Sequence, residues 1–178
     1  MRVNMITMLV LAMGLNAGAQ SYQPLDAKSS VKFTIKNFGV NTGGTFKGVQ
    51  GAITWEGTAP QKGGFDISVD ATTVDTDNES RDNHLRKEEY FNVEQYPKIG
   101  FKSDRVTVSG KSFTVYGKLT IKNTTKDISI PFTATAKDGG YLFEGSFELN
   151  RKDYKVGGNS MVLGDNVTLT LSIFAQQK

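Results

Sequence analysis

Cysteine is absent from the 178-residue chain, which removes disulfides, thiolate metal sites, a thiol nucleophile and the lipid-bearing cysteine of a bacterial lipoprotein. Histidine and tryptophan occur once each, so imidazole chemistry is confined to one position, His84. Charge of neither sign dominates. Against 21 Lys and Arg stand 18 Asp and Glu, and no block of like charge forms a nucleic-acid footprint. No apolar run reaches the ~20 residues that a spanning helix requires, so no stable membrane anchor is expected. With none of these supports the chain must rely on a hydrophobic core, and its length suits one domain.

The longest uncharged apolar run is at the start. In "MRVNMITMLVLAMGLNAGAQ" Arg2 precedes a charge-free stretch from Ile6 to Leu15, followed by Ala17-Gly18-Ala19. That is the layout of a cleaved secretory signal over residues 1–19, leaving a domain over 20–178 in the periplasm or secreted.

Beyond residue 28 the chain alternates with period two. Val31, Phe33 and Ile35; Phe65, Ile67 and Val69; Phe113, Val115, Gly117, Leu119 and Ile121; Ile128, Ile130, Phe132, Ala134 and Ala136; Tyr141, Phe143, Gly145, Phe147 and Leu149; and Val167, Leu169, Leu171 and Ile173 each share one face of a strand. The segments 45–55 and 98–108 bring the expected strands to eight. Short turn signals such as "VNTGG", "SGKS" and "KDGG" join antiparallel neighbours, because parallel pairs need long crossovers. An eight-stranded antiparallel meander can close into a barrel, which abolishes its edges, or split into a sandwich; the barrel is the expectation. Pro131 has no N–H for a ladder and implies a bulge or an imperfectly closed seam.

One stretch interrupts the strands. Thr76 and Glu79 have the spacing of a capping box, and Asp82–Arg86 and His84–Glu88 are spaced to support a helical turn. A short helical segment near residues 78–91 is therefore expected across one end of the barrel, anchored by Leu85, Tyr90 and Phe91.

The candidate sites divide sharply in specificity. "DTDNES" begins like a calcium loop, but Ser80 replaces the turn glycine and Arg86 the bidentate glutamate, so no metal site is expected. No G-x-S-x-G elbow accompanies His84, and no cofactor motif appears. Carboxylate pairs carry no positional signal. The aromatic residues share the apolar faces with Gly117, Gly145, Ala134 and Ala136, and an eight-stranded lumen is either filled by side chains or holds one small ligand. Alternation alone leaves both open.

Five ordered motifs then become informative: "RDNHL" at 81–85, "YFNVEQYPKIGF" at 90–101, "GKLTIKNTTKDISIPF" at 117–132, "FELNRKDYKVG" at 147–157 and "LGDNVTLTL" at 163–171. Together they resemble the YceI-like polyisoprenoid-binding proteins over nearly the whole chain after residue 19. The resemblance implies an extended, lipocalin-like antiparallel barrel, all-β, whose lumen holds a long isoprenoid such as that of a quinone, without catalysis. The chain departs from the family at Asn37, where many members carry histidine, and at Tyr22, where many begin with tryptophan. On this reading Phe33, Ile35, Phe65, Phe113, Val115, Gly117, Leu119, Phe132, Phe143, Gly145 and Phe147 are candidates for the lumen wall. Asn37, Arg81, Asp82 and His84 are candidates for a polar rim, Arg81 and Asp82 having the alternative role of fixing the helix. The expected partner is a long-chain isoprenoid or other lipid. A secreted enzyme using His84 and nearby carboxylates is the contrasting expectation, and a filled barrel without ligand a third.

Mass analysis of the exported protein is expected to show a chain starting at Gln20. A product retaining residues 1–19 contradicts the signal reading.

Overall fold

Strands with one dry face close a barrel when their dry faces all point inward, and this arrangement is found in the computed structural model, which describes residues 20–178. The expected signal segment lies outside the described residues. The strands are β1 (Gln20–Pro24), β2 (Ser30–Asn37), β3 (Val40–Trp55), β4 (Gly64–Asp75), β5 (Lys98–Ser109), β6 (Ser112–Ile121), β7 (Thr124–Lys137), β8 (Gly140–Asn150) and β9 (Leu163–Gln177), with one α-helix, α1 (Glu79–Leu85). All pairings are antiparallel, and β3 pairs with both β2 and β4 to complete the ring.

Nine strands make eight staves. β1 and β2 lie in line between β3 and β9, so they form one stave with a break. The break, a 3-10 turn at Asp26–Lys28, is patched by side chains: Asp26 Oδ1 accepts from Val49 N–H at 2.8 Å, and Ser29 Oγ accepts from Phe174 N–H at 3.1 Å. Backbone groups that lose a ladder partner are thus satisfied locally. Both ends of the described chain meet there, with Tyr22 opposite Gln177 and Lys178 N–H donating to Ser21 O.

Pro131 marks a seam. β7 keeps an unbroken register with β6 through Thr114–Pro131, but its pairing with β8 stops at Phe132–Gly145. Beyond that point residues 146–150 of β8 pair only with β9. The 3-10 turn Arg151–Tyr154 packs against β7 beside the gap, burying Tyr154 and Val156. Burial, with the charge of Asp153 second, pushes the Tyr154 phenol up to about 12, which keeps it neutral in its packed position.

The helix falls where expected, with a different cap. Asn78, not Thr76, is the N-cap, its Oδ1 accepting from Arg81 N–H at 2.9 Å. Thr76 turns its hydroxyl to Asp82 instead. Arg86 does not meet Asp82 side chain to side chain; its guanidinium donates to Thr72 O and Val74 O, tying the helix end to β4. Leu85, Tyr90 and Phe91 pack onto the core from above.

Inside, the barrel is divided lengthwise. One end is filled by rings: Trp55, 1 % exposed, meets Phe65, Phe113, Phe132, Tyr141 and Phe143 at centroid separations of 5.1 to 6.3 Å. Edge-to-face arrangements at these distances are the favoured ones. Gly117 and Gly145 serve this end by close approach and not by leaving room. A Cβ on Gly117 would lie 2.4 Å from Lys102 O and 2.7 Å from Ser103 Cα, where β5 bulges between Ser103 and Arg105; one on Gly145 would lie 2.7 Å from Pro131 O.

Gly117→Ala is therefore expected to destabilise the fold by roughly 1–3 kcal/mol through overpacking against backbone. Lys118→Ala, which removes an exposed, solvent-screened pair with Asp127, should leave stability nearly unchanged. Urea unfolding of the two variants checks the ranking, and equal midpoints would refute the close approach.

Candidate functional site

The other half of the barrel is hollow. A cavity of about 210 Å³ is walled by the inward faces of β2 to β9 and roofed by Leu85, Tyr90 and Phe91. Phe46, on β3, bridges wall and roof: its ring lies 5.5 Å from Phe33 and 5.3 Å, edge to face, from Phe91. Polar side-chain groups reach the lining only at Asn37, Thr42, Ser68, Thr76, Tyr90, Arg81 and Arg151; no carboxylate and no histidine belongs to it. A wall of this kind favours an apolar guest held by burial, with orientation set by a few polar groups.

Of the eleven residues proposed for the lumen wall, Phe33, Ile35, Leu119 and Phe147 line the cavity. Phe65, Phe113, Val115, Gly117, Phe132, Phe143 and Gly145 do not; all but the glycines and Val115 join the ring cluster at the filled end. Alternation identifies the inward face of a strand, but the height of a residue along the barrel axis depends on strand stagger. Ile67, Val69, Ile99, Ile121, Ile130 and Leu169, inward-facing at the other height, were not singled out and do line the cavity.

Of the rim candidates, Asn37 and Arg81 line the cavity. Arg81 donates from Nε to Thr76 Oγ1 at 2.7 Å and from Nη2 to Thr76 O at 2.6 Å. Its three other N–H groups have no protein acceptor among the described residues, and it forms no ion pair there. Asp82 is buried and accepts from Thr76 N–H at 2.9 Å and from its hydroxyl at 2.5 Å. It fixes the helix on β4 and does not line the cavity. His84 lies outside the cavity on the exposed face of α1, its ring 4.9 Å from that of Tyr90 and its Nε2 3.9 Å from Glu89.

Arg151 was not foreseen. Though 3 % exposed, it commits every N–H: Nε to Gly164 O, Nη1 to Val156 O and Gly158 O, and Nη2 to Leu163 O and to Asp165 Oδ1 at 3.2 Å. It gathers the loop 156–164 against the cavity edge. In "FELNRKDYKVG" it reads as one charged residue among several, and only the glycines after it hint at a backbone gathered round a side chain.

An all-β antiparallel barrel with a roofed apolar lumen defines a class of ligand-binding barrel, and the comparisons with known proteins place it more narrowly. The YceI-like domain matches residues 22–175, and the chain belongs to that family. A UPF0312 protein of Photorhabdus laumondii is 31 % identical over 150 residues, covering 80 % of this chain and 78 % of that one. A UPF0312 protein of Serratia proteamaculans is 29 % identical over the same shares. Among solved structures, BcnA of Burkholderia cenocepacia superposes with a TM-score of 0.82 at 23 % identity, covering 86 % of this chain and 99 % of that one. A polyisoprenoid binding domain from Saccharophagus degradans, implicated in plant cell wall breakdown, gives 0.71 at 15 % identity, covering 90 % and 100 %. At these identities the structural likeness establishes the fold.

Arg151→Lys is expected to lower stability by at least ~2 kcal/mol, because a single ammonium cannot reproduce five donors in a planar fork. Lys152→Ala, which removes a half-exposed partner of Asp165, should cost no more than ~1 kcal/mol. Chemical unfolding of both distinguishes a loop held by Arg151 from one held by other contacts, the latter giving equal losses.

Proposed function

We propose that the protein is an exported carrier or sequestering protein that holds a long-chain lipid, of isoprenoid type, in the hollow half of its barrel. The observation that carries this reading is the lopsided interior: rings fill one end, while a lining of aliphatic and aromatic side chains leaves the other end open for a guest. The likeness to a polyisoprenoid binding domain and the expected signal over residues 1–19 support it. The apolar chain would lie among Phe33, Ile121, Ile130, Phe147 and Leu169, with burial supplying ~0.8 kcal/mol per CH₂ before ordering costs. Arg81, with three spare donors, and Asn37 would face an oxygen-bearing head group, such as a carbonyl or phosphate.

Geometry also weighs against the catalytic alternative. His84 points away from the cavity and no carboxylate lines it, so an acid–base pair would have to work outside it, in the open depression that His84 shares with Glu79, Ser80, Asn83 and Lys87. Binding without turnover is the reading that uses the site as it is built.

Protein purified after export and extracted with organic solvent is expected to yield an apolar lipid at near-equal molar amount by mass spectrometry. Leu169→Trp, which fills the cavity from β9, should lower that yield about tenfold, corresponding to ~1.4 kcal/mol, with the β-sheet circular dichroism retained. A wild type that carries no lipid and takes none up from detergent solution would falsify the carrier reading.

A further inference from the structure

Among the described residues five large hydrophobic side chains are exposed, and four of them meet at one place. Phe38 (76 % exposed) and Val40 (67 %) form the tip of the β2–β3 hairpin; Met161, fully exposed, and Val162 belong to the loop before β9. The two segments are joined by Phe38 N–H donating to Val162 O at 2.9 Å. The patch continues inward without interruption, because Asn37 and Leu163, next in the chain on each side, line the cavity. It is therefore a lip at the cavity's open end.

The lip is costly to the fold and unprotected by charge. Phe38 and Gly39 take φ of 50° and 75° between paired Asn37 and Val40, a two-residue turn whose first position suits Asn, Asp or Gly. The β7–β8 turn at the opposite end of the barrel uses Asp138–Gly139 in the same conformation, φ 47° and 74°. A phenylalanine in this strained position, with its ring in solvent, does nothing for packing. Residues 37–46 and 156–164 carry no charged side chain at all, in a chain that is 22 % charged.

We propose that this lip inserts into the surface of a lipid bilayer and seats the cavity mouth against it, so that an apolar ligand passes between membrane and lumen without crossing water. The proposal rests on the lipid-binding reading above. Two observations favour a bilayer over a protein partner. A stable protein interface takes roughly 20–30 residues a side, whereas this is a convex tip of four large side chains. And part of the backbone around the lip is already satisfied from within: Gly158 O, Leu163 O and Gly164 O accept from Arg151, Val162 O accepts from Phe38, and Ser160 Oγ accepts from the N–H groups of Val162 and Leu163. Those groups need no partner from outside, and the N–H groups of Gly39 and Met161, which have no protein acceptor among the described residues, suit a shallow seat at the polar headgroups with only the side chains reaching hydrocarbon.

Flotation of the exported protein with phosphatidylcholine vesicles tests this directly. Wild type is expected to float, with little change between low and high salt because the lip is uncharged. Phe38→Asn combined with Met161→Ser should reduce the floated fraction at least ~fivefold, and Asn suits the left-handed turn, so the variant should melt no lower than wild type. That contrast assigns binding to the lip and not to residues 6–15. The variant, loaded from detergent, should retain as much lipid as wild type. Equal flotation of variant and wild type, or no flotation of wild type, overturns the proposal, as does a wild-type dimer in sedimentation that the variant abolishes without any vesicle binding. The two readings fail separately: flotation without extractable lipid removes the carrier and leaves the docking lip, and extractable lipid without flotation does the reverse.

Discussion

The interior of this barrel is organised by one side chain. Trp55, at the end of β3, sits inside a ring of five aromatic neighbours, and a lumen of eight strands is too narrow to hold such a cluster and a ligand at the same height. The rest of the interior is set by where that cluster lies. Space can remain only toward the β2–β3 hairpin and α1, the glycines at 117 and 145 must let strands close on the rings, and the cavity has one blind end. The sheet supplies a tube, and the tryptophan turns it into a pocket.

The same partition explains what the sequence could and could not reveal. The eight staves were legible because each has a wet and a dry face, and a period of two is visible in the letters. β1 was not, because five residues with one large apolar side chain, Tyr22, show no period. The division into filled and hollow halves was hidden: Phe113 and Leu119 share one face of one strand, yet Phe113 meets Trp55 edge to face and Leu119 faces the cavity. Their difference in height is a matter of stagger, which belongs to the pairing of strands and not to any one of them. The two outcomes left open by composition, a packed lumen and a ligand-sized space, coexist in one barrel.

The two arginines at the cavity edge show how little residue type says alone. Arg151 and Arg81 carry the same fork of five donors. Arg151 is saturated by carbonyls and one carboxylate and acts as a rivet for the loop 156–164. Arg81 spends two donors on Thr76, is steadied by the buried Thr76–Asp82 contact behind it, and keeps the rest toward the lumen. Asp82, expected beside it at the rim, is the post that holds that side of the helix. His84, the most conspicuous residue in the linear sequence, stands outside because it falls on the face of α1 turned away from β4.

The broken first stave has a practical corollary. Because β1 completes the wall beside Trp55 and pairs with the last residues of β9, the described chain starts and finishes at the blind end of the pocket, a full barrel length from the lip. An affinity handle, a fluorescent protein or a solid support joined directly at Gln20 or Lys178 would face the molecule's opening away from the attachment point. Immobilised in this orientation, a layer of the protein would present its mouths to the surrounding solution as a receptive coating.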